Sequence, residues 1–177
     1  MKKKLLIGFG ALIGISLIIV IVAVVTTPGE QPRQVEPAPA APAPEKTGLT
    51  SSEQSYAVTV TQEAMKVRQA LVVLDQLMQS SQYGSEGWVL QAASQLAKIW
   101  IACNTTMEIV PPDSMTHIHL KYVQGMKHFD TMAELLAHGI DEADPELLNE
   151  AIVEMEAGTH LIDEADELMD EFTEEHS

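Results

Sequence analysis

The sequence predicts an all-α protein, an up-down-up-down antiparallel four-helix bundle behind a single N-terminal transmembrane helix and a Pro/Ala-rich linker. Two observations favour this fold class. An uncharged run covers residues 5–25, and residues 51–177 contain four amphipathic segments in which apolar side chains recur every three or four positions. Because the connections between these segments are short, neighbouring helices are expected to run antiparallel.

The run Leu5–Val25 is predicted to cross a membrane. Its only clearly polar side chain is Ser16, and a helix of this length spans about 30 Å, the thickness of the hydrocarbon core of a bilayer. Three lysines precede it within residues 1–4, and no basic residue follows until Arg33. The positive-inside bias therefore places residues 1–4 in the cytoplasm and the C-terminal domain outside it, in a single-pass protein of the cell membrane.

A cleaved secretory signal is the alternative interpretation, because it also begins with lysines and an apolar run. Such a signal has an apolar region of about 7 to 15 residues that ends in small side chains. This run is longer and ends in Val24 and Val25, so an uncleaved anchor is expected. Gly10 and Gly14 form a G-x-x-x-G pair, which would let two anchors approach closely in a homodimer.

Residues 26–50 form the predicted linker. Prolines recur through it, at positions 28, 32, 37, 39, 42 and 44. Proline and alanine at this density favour extended polyproline II conformations with a rise of about 3.1 Å per residue, so the segment is a semi-rigid spacer on the order of 70 Å long at most. We expect it to hold residues 51–177 away from the bilayer.

Charge limits the partners of the C-terminal domain. The chain has a formal net charge of -16. Carboxylates after Lys46 outnumber basic residues more than fourfold, and the basic residues there are Lys66, Arg68, Lys98, Lys121 and Lys127. Such a surface repels nucleic acid and anionic lipid headgroups, so neither is expected as a partner. A basic protein, cations or solubility alone remain as explanations of the acidic surface.

The first two helical segments have recognisable starts. The first covers residues 52–80, with Ser51 or Ser52 as its N-cap candidate, and the second, residues 86–109, follows the candidate Ser85. A Pro-Pro pair ends the second segment. The predicted core residues of the first are Tyr56, Val60, Ala64, Val67, Leu71, Leu74 and Met78. Those of the second are Val89, Ala93, Leu96, Trp100, Cys103, Met107 and Val110.

The third segment, residues 112–142, takes Pro112 as a tolerated first-turn residue. The fourth begins after Asp144, an N-cap candidate followed by proline and an acidic residue. We expect its carboxylate-rich end to fray after Phe172, because like charges four residues apart destabilise a helix. The predicted core residues of the third are Met115, Ile118, Tyr122, Met126, Phe129, Met132, Leu136 and Ile140. Those of the fourth are Leu148, Ile152, Met155, Thr159, Ile162, Ala165, Met169 and Phe172.

The turn between the third and fourth segments fixes a testable register. If the chain reverses at residues 143–144, residues whose numbers sum to about 287 lie side by side. Phe129 then faces Gly158, and Gly125 faces Ile162. A large side chain opposite a missing one is the complementarity that a close-packed core requires. It also offsets the cost of about 1 kcal/mol that glycine carries inside a helix.

No motif in the sequence predicts catalysis or a cofactor. Two-metal carboxylate bundles use inward-facing Glu-x-x-His motifs, and this chain contains none; H-E-x-x-H, calcium-loop, G-x-S-x-G and phosphate-loop motifs are also missing. Cys103 is expected to be a shielded thiol, since it lies on an apolar stripe. We therefore assign no catalytic, cofactor-binding or metal-binding residue and expect a protein that is not an enzyme.

One group of titratable residues supports a second hypothesis. The predicted bundle gathers the start of the third helix and the end of the fourth at one end. The side chains concerned are Asp113, His117, His119, Asp170, Glu171, Glu174 and His176. Such a cluster could bind a divalent cation weakly or respond to pH near neutrality.

The two functional hypotheses belong to different classes. The first is a membrane-anchored extracytoplasmic bundle that acts as a non-enzymatic interaction or structural module, with a protein partner or a homodimer. The second is a sensor or binding domain for a divalent cation, a proton or a small ligand. Because residues 1–4 are the only part expected in the cytoplasm, such a sensor would work through a partner membrane protein.

Overall fold

The computed structural model describes residues 48–177, and this part of the chain is all-helical with no strand. The predicted cytoplasmic stub, the anchor Leu5–Val25 and nearly all of the linker lie outside the described residues. The helices are α1 (Ser51–Met78), α2 (Glu86–Glu108), α3 (Thr116–Asp141) and α4 (Pro145–Glu175). None of these four helices is long and apolar enough to cross a membrane.

Side-chain caps start three of the helices. Ser85 and Asp144 are the N-caps of α2 and α4, as predicted. The predicted N-cap of α1 was wrong by one residue, because Thr50 takes that position and forms a capping box with Glu53. The Thr50 hydroxyl accepts a hydrogen bond from the Glu53 amide, while the Glu53 carboxylate accepts one from the Thr50 amide.

The start of α3 and the end of α4 differ from the prediction. Pro112 has an extended conformation and precedes a 3-10 turn, Asp113–Met115, so α3 begins later than expected. At the other end, α4 continues past Phe172 to Glu175. His176 donates a hydrogen bond from Nδ1 to the Phe172 carbonyl at 2.7 Å and stacks on the Phe172 ring at 4.3 Å between centroids. These contacts stabilise a last turn that carboxylate repulsion alone would destabilise.

Helices α3 and α4 pack antiparallel in the predicted register. A Cβ atom placed on Gly158 would lie 3.1 Å from the Phe129 ring, and one placed on Gly125 would lie 2.8 Å from Ile162. Gly139 and Leu148 form a third pair with the same register, at 2.8 Å. Both predicted pairs are therefore confirmed, and glycine allows the two backbones to come close at three levels.

Helix α2 is rotated by about one residue relative to the prediction. Four residues predicted in the core are exposed, namely Val89, Ala93, Trp100 and Val110, whereas Trp88 and Ile99 are buried. Indole Nε1 of Trp88 donates a hydrogen bond of 2.7 Å to the Leu77 carbonyl at the end of α1. The buried residues of α2 are Trp88, Ala92, Ile99, Ala102, Cys103 and Thr106. The error arose because α2 is apolar on most of its circumference, so its sequence does not single out one face.

The predicted core residues of the other three helices are buried or half-buried. The α1–α2 hairpin and the α3–α4 hairpin meet across this core. Near the start of α1, Tyr56 lies beside His119 of α3, and in the middle of α1, Arg68 reaches α4. Cys103 of α2 contacts Met126 of α3. The structure thus places most of the apolar side chains of four helices in one core.

Candidate functional site

The densest polar contacts between helices converge on Asp166 of α4. The Tyr122 hydroxyl donates a hydrogen bond of 2.5 Å to Asp166 Oδ1, and Arg68 Nη2 donates one of 2.6 Å to Asp166 Oδ2. The same guanidinium nitrogen lies 3.1 Å from Asp163 Oδ1. We call Arg68, Tyr122, Asp163 and Asp166 the Asp166 network. Because it joins α1, α3 and α4, it holds three helices in one arrangement.

The positions of these side chains follow from the helix faces. Tyr122 is on the core stripe of α3, so its ring is fully buried and its hydroxyl needs a polar partner at the core boundary. Burial and the neighbouring Asp166 charge raise the pKa of Tyr122, so the hydroxyl stays protonated and acts as a donor. Burial lowers the pKa of Arg68, but the hydrogen bonds and charges of Asp166 and Asp163 raise it by more. The net shift of the Arg68 pKa is therefore upward.

A second polar contact lies deeper, between α1 and α3. The Tyr56 hydroxyl is 3.3 Å from His119 Nδ1, and the two rings meet edge to face at 5.8 Å between centroids. Burial raises the pKa of Tyr56 and lowers the pKa of His119. Both groups are therefore neutral near pH 7, and the contact is a hydrogen bond between uncharged rings rather than an ion pair.

Glu53 forms a third contact at the same end of the helices. In addition to its bonds within the capping box, its Oε1 accepts a hydrogen bond of 2.6 Å from the Ser114 hydroxyl, which precedes α3. This hydrogen bond, those from Thr50 and the charge of His176 lower the pKa of Glu53. The carboxylate of Glu53 thus caps α1 and also ties α1 to the start of α3.

The structure separates several members of the predicted cation cluster. His119 is buried against Tyr56, His176 is bonded to its own helix, and His117 is exposed. Burial and the nearby charges of Asp166 and Glu174 raise the pKa of Asp170. Across residues 48–177, no three His, Cys, Asp or Glu side chains are grouped to hold a metal ion. Weak cation binding therefore stays a prediction without a defined set of ligands.

Cys103 is a buried thiol, as predicted. Its side chain is inaccessible to solvent, and Sγ lies 3.8 Å from the Met126 sulfur. Burial, assisted by the charge of Asp130, raises the pKa of the Cys103 thiol to about 12. The reactive species in nucleophilic attack is the thiolate, so the environment of Cys103 disfavours that role.

A groove of about 370 Å³ lies on the outside of the α1–α2 hairpin, between α1 and α2. Its walls contain Lys66 and Lys98, which are two of the five basic residues after position 46. Lys66 is paired with Glu63 at 2.6 Å, and Lys98 donates to the Gln95 side chain at 3.2 Å. The groove offers a mildly basic, mostly uncharged surface, which the sequence alone did not reveal because its walls come from two helices.

The comparisons with known proteins add no relative to this description. No protein-family model, no curated protein and no solved structure matches the chain.

Proposed function

We propose that this chain is a membrane-anchored extracytoplasmic protein whose four helices form an up-down-up-down bundle and act as a non-enzymatic interaction or structural module. In this proposal Leu5–Val25 is the anchor, residues 26–50 are the spacer, and residues 51–177 are the displayed domain. The anchor and the spacer are inferred from the sequence.

The observation that carries the proposal is how the polar side chains near the core are used. In the described residues, Tyr122, Arg68, Asp166, Glu53 and His119 each contact a side chain on another helix or on the turn before one. Catalytic sites instead present groups with shifted pKa values to a cleft where a substrate can enter. Here these five side chains stabilise the arrangement of the helices, and none of them lines the groove between α1 and α2.

The outer surfaces suit contact with other molecules. Twelve of the 31 residues of α4 are Asp or Glu, and none is Lys or Arg. Helix α2 has only Glu86, Lys98 and Glu108 as charged residues among 23. One side of the domain is thus strongly acidic and another is nearly uncharged, a division typical of proteins that orient themselves towards partners.

The topology can be tested by labelling single cysteines in the full chain. With Cys103 replaced by alanine, Gln82→Cys in the exposed turn after α1 is expected to react with a membrane-impermeant maleimide on sealed right-side-out vesicles. Lys3→Cys is the control and is expected to react only after the vesicles are opened. The chain is also expected to resist extraction at alkaline pH. Protection of Gln82→Cys, or release of the chain by alkali, would contradict the proposal.

A further inference from the structure

The side of α2 that points away from the core is unusually apolar. We define the α2 outer face by Leu90, Ala93, Ala97, Trp100 and Ile101, which recur at helical spacing and are all exposed. Leu90 is 66% exposed, Trp100 56% and Ile101 55%. A helix that is apolar around most of its circumference is normally buried on every side. In residues 48–177, however, no helix covers this face.

We infer that the α2 outer face is the surface through which two copies of this chain pair. Charge selects this occupant over others. Between Glu86 and Glu108 the only charged side chain of α2 is Lys98, whereas α4 carries twelve carboxylates and no Lys or Arg. Two copies would repel each other through α4, so their nearly uncharged α2 sides can meet at the smallest electrostatic cost.

The groove beside this face adds little charge to a pair formed through α2. Lys66 and Lys98 line it, together with Ile101 of the α2 outer face, and Lys66 is already paired with Glu63. A basic protein would instead be drawn to the carboxylates of α4, and an anionic membrane surface would be repelled by the domain as a whole.

The shape of the face suits a symmetric pair. Ala97 is at the middle of α2, and Ala93 lies one turn before it, so two helices can approach closely there. Leu90 lies towards one end of the face, and Trp100 and Ile101 lie towards the other. In a two-fold pair the same patch serves both copies. A two-fold axis perpendicular to α2 beside Ala97 gives an antiparallel pair, and one parallel to α2 gives a parallel pair; in both, the two Ala97 residues face each other.

This inference deepens the proposed function, because anchors in one membrane would hold the displayed domains at a high effective concentration. The pairing surface itself belongs to the described residues and does not depend on the anchor. The two ideas can therefore fail separately: alkaline extraction tests the anchor, and the variants below test the face.

The first experiment is disulfide trapping of the full chain in membranes, with Cys103 replaced by alanine. Ala97→Cys is expected to form a covalent dimer with copper phenanthroline as the oxidant, since paired Cβ atoms must approach to about 4 Å. Glu167→Cys, on the exposed side of α4, is the matched control and is expected to give only the collisional background. Equal trapping at both positions would overturn the inference.

The second experiment measures dimer affinity of the full chain in detergent by sedimentation equilibrium. Trp100→Asp is expected to weaken the dimer by about tenfold or more, as removal of an aromatic anchor from an interface does. Val153→Asp on α4 is the control, because Val153 is 62% exposed and thus comparable with Leu90 and Trp100. It should leave the affinity unchanged, and Trp100→Phe should retain most of it.

Three results would overturn the inference. The wild-type chain could be monomeric at every concentration tested, or Trp100→Asp could dimerise like the wild type. Alternatively, Gly10→Leu with Gly14→Leu could abolish a dimer that Trp100→Asp leaves intact, which would assign pairing to the anchor. Far-ultraviolet circular dichroism checks that each variant is folded, and substitutions at exposed positions such as Trp100 are expected to preserve the helices.

Discussion

The α3–α4 hairpin and the α1–α2 hairpin share the same repeat of apolar residues but pack differently. Between α3 and α4, Gly125, Gly139 and Gly158 each face a side chain or carbonyl within 3.1 Å of the position of a Cβ atom. A Cβ atom added to Gly84 or Gly87, at the α1–α2 turn, would meet nothing within 4 Å. A groove of about 370 Å³ also separates the outer edges of α1 and α2. A common repeat therefore does not imply a common packing density.

The two hairpins also differ in how charge is balanced. Across α3 and α4, Lys121 pairs with Glu164 at 2.6 Å, and His128 Nδ1 forms a hydrogen bond of 2.6 Å with Glu154. These few pairs leave most α4 carboxylates unbalanced, and like charges four residues apart oppose helix formation. Close packing against α3 offsets that repulsion. The α1–α2 hairpin has little charge to offset, and its outer surface can therefore remain open to a partner.

The largest effect is expected at Gly158, where the backbones of α3 and α4 come close to each other. Gly158→Leu would force side-chain atoms against the Gly125 carbonyl oxygen and the Phe129 ring, both 3.1 Å from the added Cβ. Because a backbone atom is one of the two obstacles, the helices must separate, at a cost of about 3 kcal/mol or more. Urea unfolding of the full chain in detergent, followed by circular dichroism, measures the loss.

Gly87→Leu is the matched control for this prediction. Gly87 lies in the first turn of α2, where an added Cβ meets no atom within 4 Å. We expect a change in the free energy of unfolding of less than about 1 kcal/mol, with a gain from helix propensity. Equal losses at the two glycines would mean that the loss at Gly158 does not come from its close contact with α3.

The second prediction tests the rotation of α2. Ile99 is fully buried, whereas its neighbour Trp100 is 56% exposed. Ile99→Ala is expected to lower the free energy of unfolding by about 2 to 4 kcal/mol, because it leaves a cavity in the core. Trp100→Ala in the monomer should cost less than about 1 kcal/mol. A larger loss of stability for Trp100→Ala than for Ile99→Ala would instead support the orientation of α2 predicted from the sequence.

The third prediction concerns the hydrogen bond between α3 and α4 in the Asp166 network. Tyr122→Phe removes the hydroxyl that donates to Asp166 and leaves the ring in place. A hydrogen bond to a charged acceptor contributes about 1.5 to 3 kcal/mol, and Asp166 keeps its contact with Arg68, so a loss of about 1.5 kcal/mol is expected. Thermal unfolding measures this loss. Tyr83→Phe, at an exposed position in the turn after α1, should leave stability unchanged.

The differences between the hairpins also explain which features the sequence could predict. The Phe129–Gly158 pair was predictable because a short turn fixes the register and because ring and glycine have complementary volumes. The rotation of α2 was not, since apolar residues on several sides of a helix leave more than one face able to enter a core. The hydrogen bond from the Trp88 indole to α1 is formed on the buried face, and it depends on the neighbouring helix.

The polar contacts were partly accessible from the sequence. Thr50 and Glu53 have the spacing of a capping box, so the N-cap of α1 could have been predicted one residue earlier. A tyrosine on a core stripe, such as Tyr122, also implies a hydrogen-bond partner at the core boundary. The identity of that partner, Asp166, depends on how α3 and α4 lie against each other. The bond between Ser114 and Glu53 depends in the same way on α1 and α3.

The smallest effect is expected at Glu53, where its pH dependence identifies the cause. Hydrogen bonds from Ser114 and Thr50 lower the pKa of Glu53 below its ordinary value of 4.5. A lowered carboxyl pKa stabilises the fold at pH values above 4.5, and this contribution is lost as the pH falls through the folded-state value. Glu53→Gln should therefore be less stable than the wild type at pH 7, and the difference should shrink below pH 4.5. Glu171→Gln, on the exposed side of α4, is expected to show no such loss. A difference for Glu53→Gln that persists unchanged at pH 3 would mean that shape rather than charge explains the role of Glu53.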